Sequence, residues 1–147
     1  MTKVVIDAEV RHQIESLVVE HAWLQDNNRE AERLADLYTD DGRFYGIEPE
    51  CRGRAAILEY GRKRTKLTGR RARHVIANLR LVPLEDGRIA GQLTIMLFRH
   101  VGDGIGPAEP CALADAHDIY EKSSDGRWRI AERRLELAFE SESHKIK

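Results

Sequence analysis

The chain has 147 residues, 41% of them hydrophobic and 33% charged, the profile of an ordinary globular domain. That length supports one core without help from a disulfide or a metal. The net charge of −1 gives no bulk attraction to nucleic acid or anionic membranes, so neither is expected as a partner.

Cys51 and Cys111 are isolated in sequence, which suits a reducing compartment. The apolar run Val4-Val5-Ile6 is too short for a signal peptide or a membrane span, so a cytoplasmic location is expected. The whole of 1–147 reads as one domain, with a core over about 7–140 and a frayed tail over 141–147.

The first helix is predicted to begin near Asp7, a good N-cap. Apolar residues then recur at Val10, Ile14, Leu17, Val18 and Leu24, on one face. The polar run Asp26-Asn27-Asn28 should stop it. A shorter helix is predicted from Arg29 to Tyr38, ended by Thr39-Asp40-Asp41-Gly42, with a short strand over Arg43–Ile47. A third helix follows Gly53, from Arg54 to about Leu67, with Ala55, Ile57, Leu58 and Tyr60 facing inward.

From Ala72 the period changes to two, the signature of strands. Glu85-Asp86-Gly87-Arg88 reads as a hairpin turn between a first strand and a second over about Arg88–His100. The Gly- and Pro-rich stretch Gly102–Pro110 is a loop. It is followed by strands over Cys111–Lys122 and Arg127–Glu140, joined at Ser124-Asp125-Gly126. In the last strand Trp128 and Ile130 share one parity, whereas Leu135, Leu137 and Phe139 share the other. A β-bulge is therefore predicted near Ala131–Arg133.

The order of three N-terminal helices and then long strands predicts an α+β fold in which helices cover one face of an antiparallel sheet. Apolar residues on both strand parities, Val75, Ala77, Leu79 and Leu81 against Ile76 and Val82, leave the other face to a second copy of the chain. A homo-oligomer is expected.

Leu34-Ala-Asp-Leu-Tyr-Thr-Asp-Asp-Gly-Arg-Phe44, Arg52-Gly-Arg-Ala-Ala-Ile57, Arg73-His-Val-Ile-Ala-Asn78 and Gly126-Arg-Trp-Arg-Ile-Ala-Glu-Arg-Arg134 together resemble the SnoaL-like family of the nuclear transport factor 2-like superfamily. The resemblance runs from roughly Ile14 to Leu137. It implies a cystatin-like α+β barrel: a curved antiparallel sheet and three helices forming a cone-shaped pocket. The branch of scytalone dehydratase, bile-acid dehydratase and lindane dehydrochlorinase is the most similar. Its Asp near the end of the first helix and His after the third helix correspond to Asp26 and His74. The branch implies a lyase, and a trimer in preference to a dimer.

An imidazole can take a proton near neutral pH if a partner fixes its tautomer, so Asp26 would orient His74 as a general base. The plainer reading is that Asp26 begins the turn before the second helix and His74 is a satisfied strand histidine. His21 stands where the branch carries a tyrosine. It is either an acid for the leaving group or a core histidine.

Tyr45, Asn78 and His117 are candidate substrate-binding residues, Asn78 because it shares strand parity with His74. His100, Asp115 and His117 lack metal-site spacing, so no metal is expected. No phosphate-binding glycine loop is present, and no cofactor is expected. The basic run Arg62–Arg73 carries no interleaved aromatics and reads as a solvated helix end and loop. One of the pair Arg133–Arg134 can meet an anionic substrate or a carboxylate of a second copy.

The leading reading is a cofactor-independent, dehydratase-like lyase acting on a small, mostly apolar cyclic molecule. The alternatives are an isomerase or polyketide cyclase, and a non-catalytic assembly subunit resembling dioxygenase small subunits.

Overall fold

The structure, a computed structural model, describes residues 2–27, 29–46 and 49–142. The predicted frayed tail beyond Glu142, the Asn28 end of the first polar stop and the Ile47 end of the first predicted strand lie outside the described residues.

The elements run α1 (Ala8–Asn27), α2 (Ala31–Asp36), β1 (Tyr38–Tyr45), β2 (Cys51–Arg52), α3 (Arg54–Thr65), β3 (Arg70–Pro83), β4 (Ile89–Val101), β5 (Ala112–Lys122) and β6 (Trp128–Glu140). The fold is α+β, with six strands in the order β2-β1-β6-β5-β4-β3, an open sheet with β2 and β3 at its edges. All neighbours are antiparallel except β1 and β6, which run parallel and make the sheet mixed. Asp7 caps α1 by accepting from the Val10 N–H at 2.9 Å.

Two element predictions need correction. Helix α2 ends at Asp36, and Tyr38 opens a strand. The polar run Thr39–Gly42 sits inside β1, in an excursion between Tyr38, opposite Ile130, and Arg43, opposite Glu132. Turn-forming residues thus mark a break in a strand, and Arg54 anchors that break through Asp40 at 2.6 Å. In α3 the buried residues are Ile57 and Gly61, while Ala55 is exposed.

The bulge predicted in β6 is present. Ile119 faces Glu132 and Tyr120 faces Ile130, which leaves Ala131 as the extra residue. It turns Arg133 inward, on the same side as Leu135 and Leu137. A second shift follows: Leu113 faces Phe139 and Ala114 faces Leu137. Phe139 therefore leaves the parity of Leu137 and is 71% exposed.

A third bulge lies in β3, between Ala77, opposite Thr94, and Arg80, opposite Gln92. Asn78 takes up the extra residue with a left-handed φ of 60°. Below it Ala72, His74 and Ile76 face the helices, and above it Leu79 and Leu81 do so. Leu79 and Leu81 accordingly pack against the core, not the outer face expected for them. The outer face keeps Val75 and Val82 as its exposed large apolar residues on this strand.

Candidate active site

Between α1, α3 and the concave face of the sheet lies a cavity of about 350 Å³. Its apolar wall comes mainly from the inward residues of four strands: Ile76 of β3, Ile95 and Leu97 of β4, Ala112 and Ala114 of β5, and Leu135 and Leu137 of β6. Both histidines singled out near α1 and β3, His21 and His74, border it.

His74 is fixed by Asp26. The Asp26 Oδ1 lies 2.6 Å from the ring Nδ1 and 2.9 Å from the His74 backbone N–H, and Oδ2 is 3.2 Å from the same N–H. A carboxylate at a helix C-terminus opposes the helix dipole. Here two N–H donors from one residue of the neighbouring strand offset that. With Nδ1–H donating to Asp26, the lone pair of the imidazole is on Nε2, on the far side of the ring, which makes no hydrogen bond among the described residues.

His21 is held in the opposite manner. Its Nδ1 accepts from Arg133 Nη1 at 3.2 Å, so its proton is on Nε2, which meets the Tyr38 hydroxyl at 2.8 Å. Arg133 in turn donates from Nε and Nη2 to the two oxygens of Asp118, at 2.8 and 2.7 Å. Asp118 also accepts from Tyr120 at 2.6 Å. Gly91 leaves the space for that ring, since a Cβ there would stand 2.5 Å from Tyr120 Cε2.

The five side chains form one buried network. Burial, followed by the charge of Arg133, holds His21 well below its ordinary pKa of 6.5, so it is neutral. Burial opposes the charge of Arg133, but Asp118 outweighs it and raises the guanidinium pKa.

Five further polar side chains line the cavity. Tyr60 packs its ring 5.6 Å from Phe44, and its hydroxyl makes no hydrogen bond among the described residues. Gln25 lines the wall with a buried Oε1 that lacks a partner, an acceptor that a ligand hydroxyl would satisfy. Arginines 64, 70 and 99 line the same space.

Of the predicted site residues, the structure brings Asp26, His74 and His21 together and separates the rest. Tyr45 and His117 face the outer side of the sheet, where they line a different depression with Glu132 and Arg134. The inward residue of β1 at this level is Phe44. Asn78 is exposed, because its own bulge breaks the parity that linked it to His74. Among the described residues no group of three or more His, Cys, Asp or Glu side chains is placed to hold a metal ion.

Sequence reasoning also missed two residues of the basic run. Arg64 follows Ile57, Tyr60 and Gly61 at helical spacing, and Arg70 shares the parity of Ala72 and His74. Both therefore turn toward the cavity.

No curated protein matches the chain in sequence. Among solved structures it is similar to ActVI-ORFA from Streptomyces coelicolor, at 20% identity and a TM-score of 0.77, over 88% of this chain and 98% of that one. It is also similar to an NTF2-like protein with a cystatin-like fold from Novosphingobium aromaticivorans, at 21% identity and a TM-score of 0.75, over 93% and 87%. A candidate scytalone dehydratase from the same organism aligns at 17% identity and a TM-score of 0.73, over 89% and 85%. These likenesses are of fold. The SnoaL-like domain family matches residues 7–134, which run from the start of α1 to the middle of β6 and include Asp26, His21 and His74, and the chain belongs to that family.

Proposed function

We propose that the chain is a cofactor-independent enzyme that removes a carbon-bound proton from a small cyclic substrate and expels a leaving group, with His74 as general base. The observation that carries this reading is the 2.6 Å contact between Asp26 and His74 Nδ1, which leaves Nε2 as the basic nitrogen of a residue lining an open, largely apolar cavity.

In the proposed step Nε2 takes the proton, and the C–H electron pair becomes the new carbon–carbon π bond. The leaving group departs from the adjacent carbon with its own bonding pair. Asp26 stabilises the imidazolium that forms and keeps the ring in the productive tautomer.

The acid assigned to His21 at this step is better placed on Tyr60. His21 is neutral, and both of its ring nitrogens are engaged. Tyr60 lines the same cavity and its hydroxyl makes no hydrogen bond among the described residues, so protonation of a departing hydroxide by it would release water. An unfilled cavity favours an enzyme over an assembly subunit, in which side chains would occupy that space. The likeness to a candidate scytalone dehydratase points the same way.

The test is the base-promoted ring opening of 5-nitrobenzisoxazole, in which loss of one C–H proton breaks the N–O bond and releases a coloured phenolate. Wild-type protein is expected to exceed free imidazole at equal concentration, and His74→Asn to lose the excess. Equal rates for wild type and His74→Asn would overturn the assignment of the base.

A further inference from the structure

The outer, convex face of the sheet carries an ordered pattern that the cavity does not use. The ladders align its side chains in rows that cross the strands, with ~7 Å between successive rows. One row is Val82, Ala90 and Ile119, ending in Glu132, which pairs with Arg43 at 3.5 Å. The next is Arg80, Gln92, His117 and Arg134. The third is Ala77, Thr94, Asp115 and Glu136. The fourth is Val75, Met96, Leu113 and Phe139.

Along the strands the order is therefore apolar, basic, acidic, apolar. That order is symmetric in polarity and complementary in charge. Consider a 180° rotation about an axis in the plane of contact, parallel to the rows and midway between the basic and the acidic one. It lays each strand over the same strand of a second copy. Arg134 then meets Glu136 of the second copy, His117 meets Asp115 and Gln92 meets Thr94. Ile119 meets Leu113, Ala90 meets Met96, and the exposed Val82 and Val75 lie over each other at the edge. Every contact occurs twice, as a twofold interface requires. The strands of the two sheets are aligned, a common arrangement for stacked sheets.

We infer that this face is a twofold interface between two copies of the chain, a dimer in place of the trimer that the resemblance implies. A ring of three joins two unlike patches on each copy and has no use for one face complementary to itself. The apolar rows supply the burial, and the charged rows fix the register. Within one copy Arg134 already touches Glu136 at 3.0 Å, so the interface joins two such pairs into a cluster of four alternating charges. Of the adjacent arginines, Arg133 is thus spent on Asp118 inside the fold and Arg134 on a carboxylate of the second copy.

The test is sedimentation equilibrium and native mass spectrometry of charge-reversed chains. Wild type is expected to be a dimer at micromolar concentration. R134E and E136R each place like charges across the axis and are expected to raise the dimer dissociation constant about tenfold or more. Mixed in equal amounts, the two variants are expected to form the heterodimer in preference to either homodimer. Each chain in that mixture still carries like charges at 134 and 136. Recovery on mixing therefore reports pairing between copies and not repair of the contact within one.

A trimeric wild type, single variants that dimerise as wild type does, or a mixture with no more heterodimer than random pairing gives would overturn the inference. A monomeric wild type would also overturn it and give the face to a different partner.

Discussion

Two histidines border one cavity and are treated in opposite ways. His21 is saturated: Arg133 fills one nitrogen and Tyr38 the other, in a network that continues to Asp118 and Tyr120 and is buried throughout. His74 is half saturated, with Asp26 on Nδ1 and Nε2 left open. A ring with both nitrogens engaged is held as structure, and one oriented from behind with its other nitrogen open is equipped for proton transfer. The distinction lies in the partners, since the residue type and the cavity are the same.

Breaking the saturated network should have the largest effect. Asp118→Asn removes the only carboxylate paired with Arg133 among the described residues and leaves a guanidinium buried at 3% exposure, at an expected cost of about 3–5 kcal/mol in urea unfolding. A loss below about 1 kcal/mol would mean that Arg133 finds water or another acceptor.

Changes in the open dyad should act on rate and spare stability. Asp26→Asn is expected to lower the ring-opening rate about 10²–10⁴-fold, because an amide cannot stabilise the imidazolium. Retained rate with a lowered melting temperature would make Asp26 a structural cap and collapse the contrast between the two histidines. Tyr60→Phe should act on a hydroxide leaving group and leave 5-nitrobenzisoxazole untouched, since a phenolate leaving group needs little protonation. Equal losses on both substrates would place Tyr60 in binding.

The smallest effect concerns pH. His21 is neutral when folded, and its pKa lies well below the 6.5 of an ordinary imidazole. As pH falls through 6.5 the unfolded chain binds a proton that the folded chain refuses, so stability is lost on acidification. For one proton the limiting slope is about 1.4 kcal/mol per pH unit. His21→Gln should flatten that slope between about pH 5 and 6.5. Asp125, held at about 2 by Arg129 and the Arg127 N–H, titrates too low to contribute in that window. An unchanged slope would show that His21 carries no proton linkage.

Much of the fold was legible because periodicity survives in sequence. The α1 stripe, the Asp-Gly hairpin and the parity change that demands a bulge at Ala131 all correspond to observed features. The bulge at Asn78 was not legible, because alternating residues on both sides of it read as one unbroken strand, and Asn78, Leu79 and Leu81 were assigned to the wrong faces as a result. Likewise Thr39–Gly42 looked like a helix stop, since the same short polar residues serve turns and strand irregularities alike.

By itself the sequence determined most of the elements and the α+β class, and its family resemblance singled out Asp26 and His74. The tertiary structure alone decided which histidine is closed and which is open, and that Arg64 and Arg70 turn inward from a run that looks solvated. The physical reason is range. Helix and strand periods are set by neighbours a few residues apart, whereas the state of a ring nitrogen or a guanidinium is set by partners on other strands and helices, up to 112 residues away for His21 and Arg133.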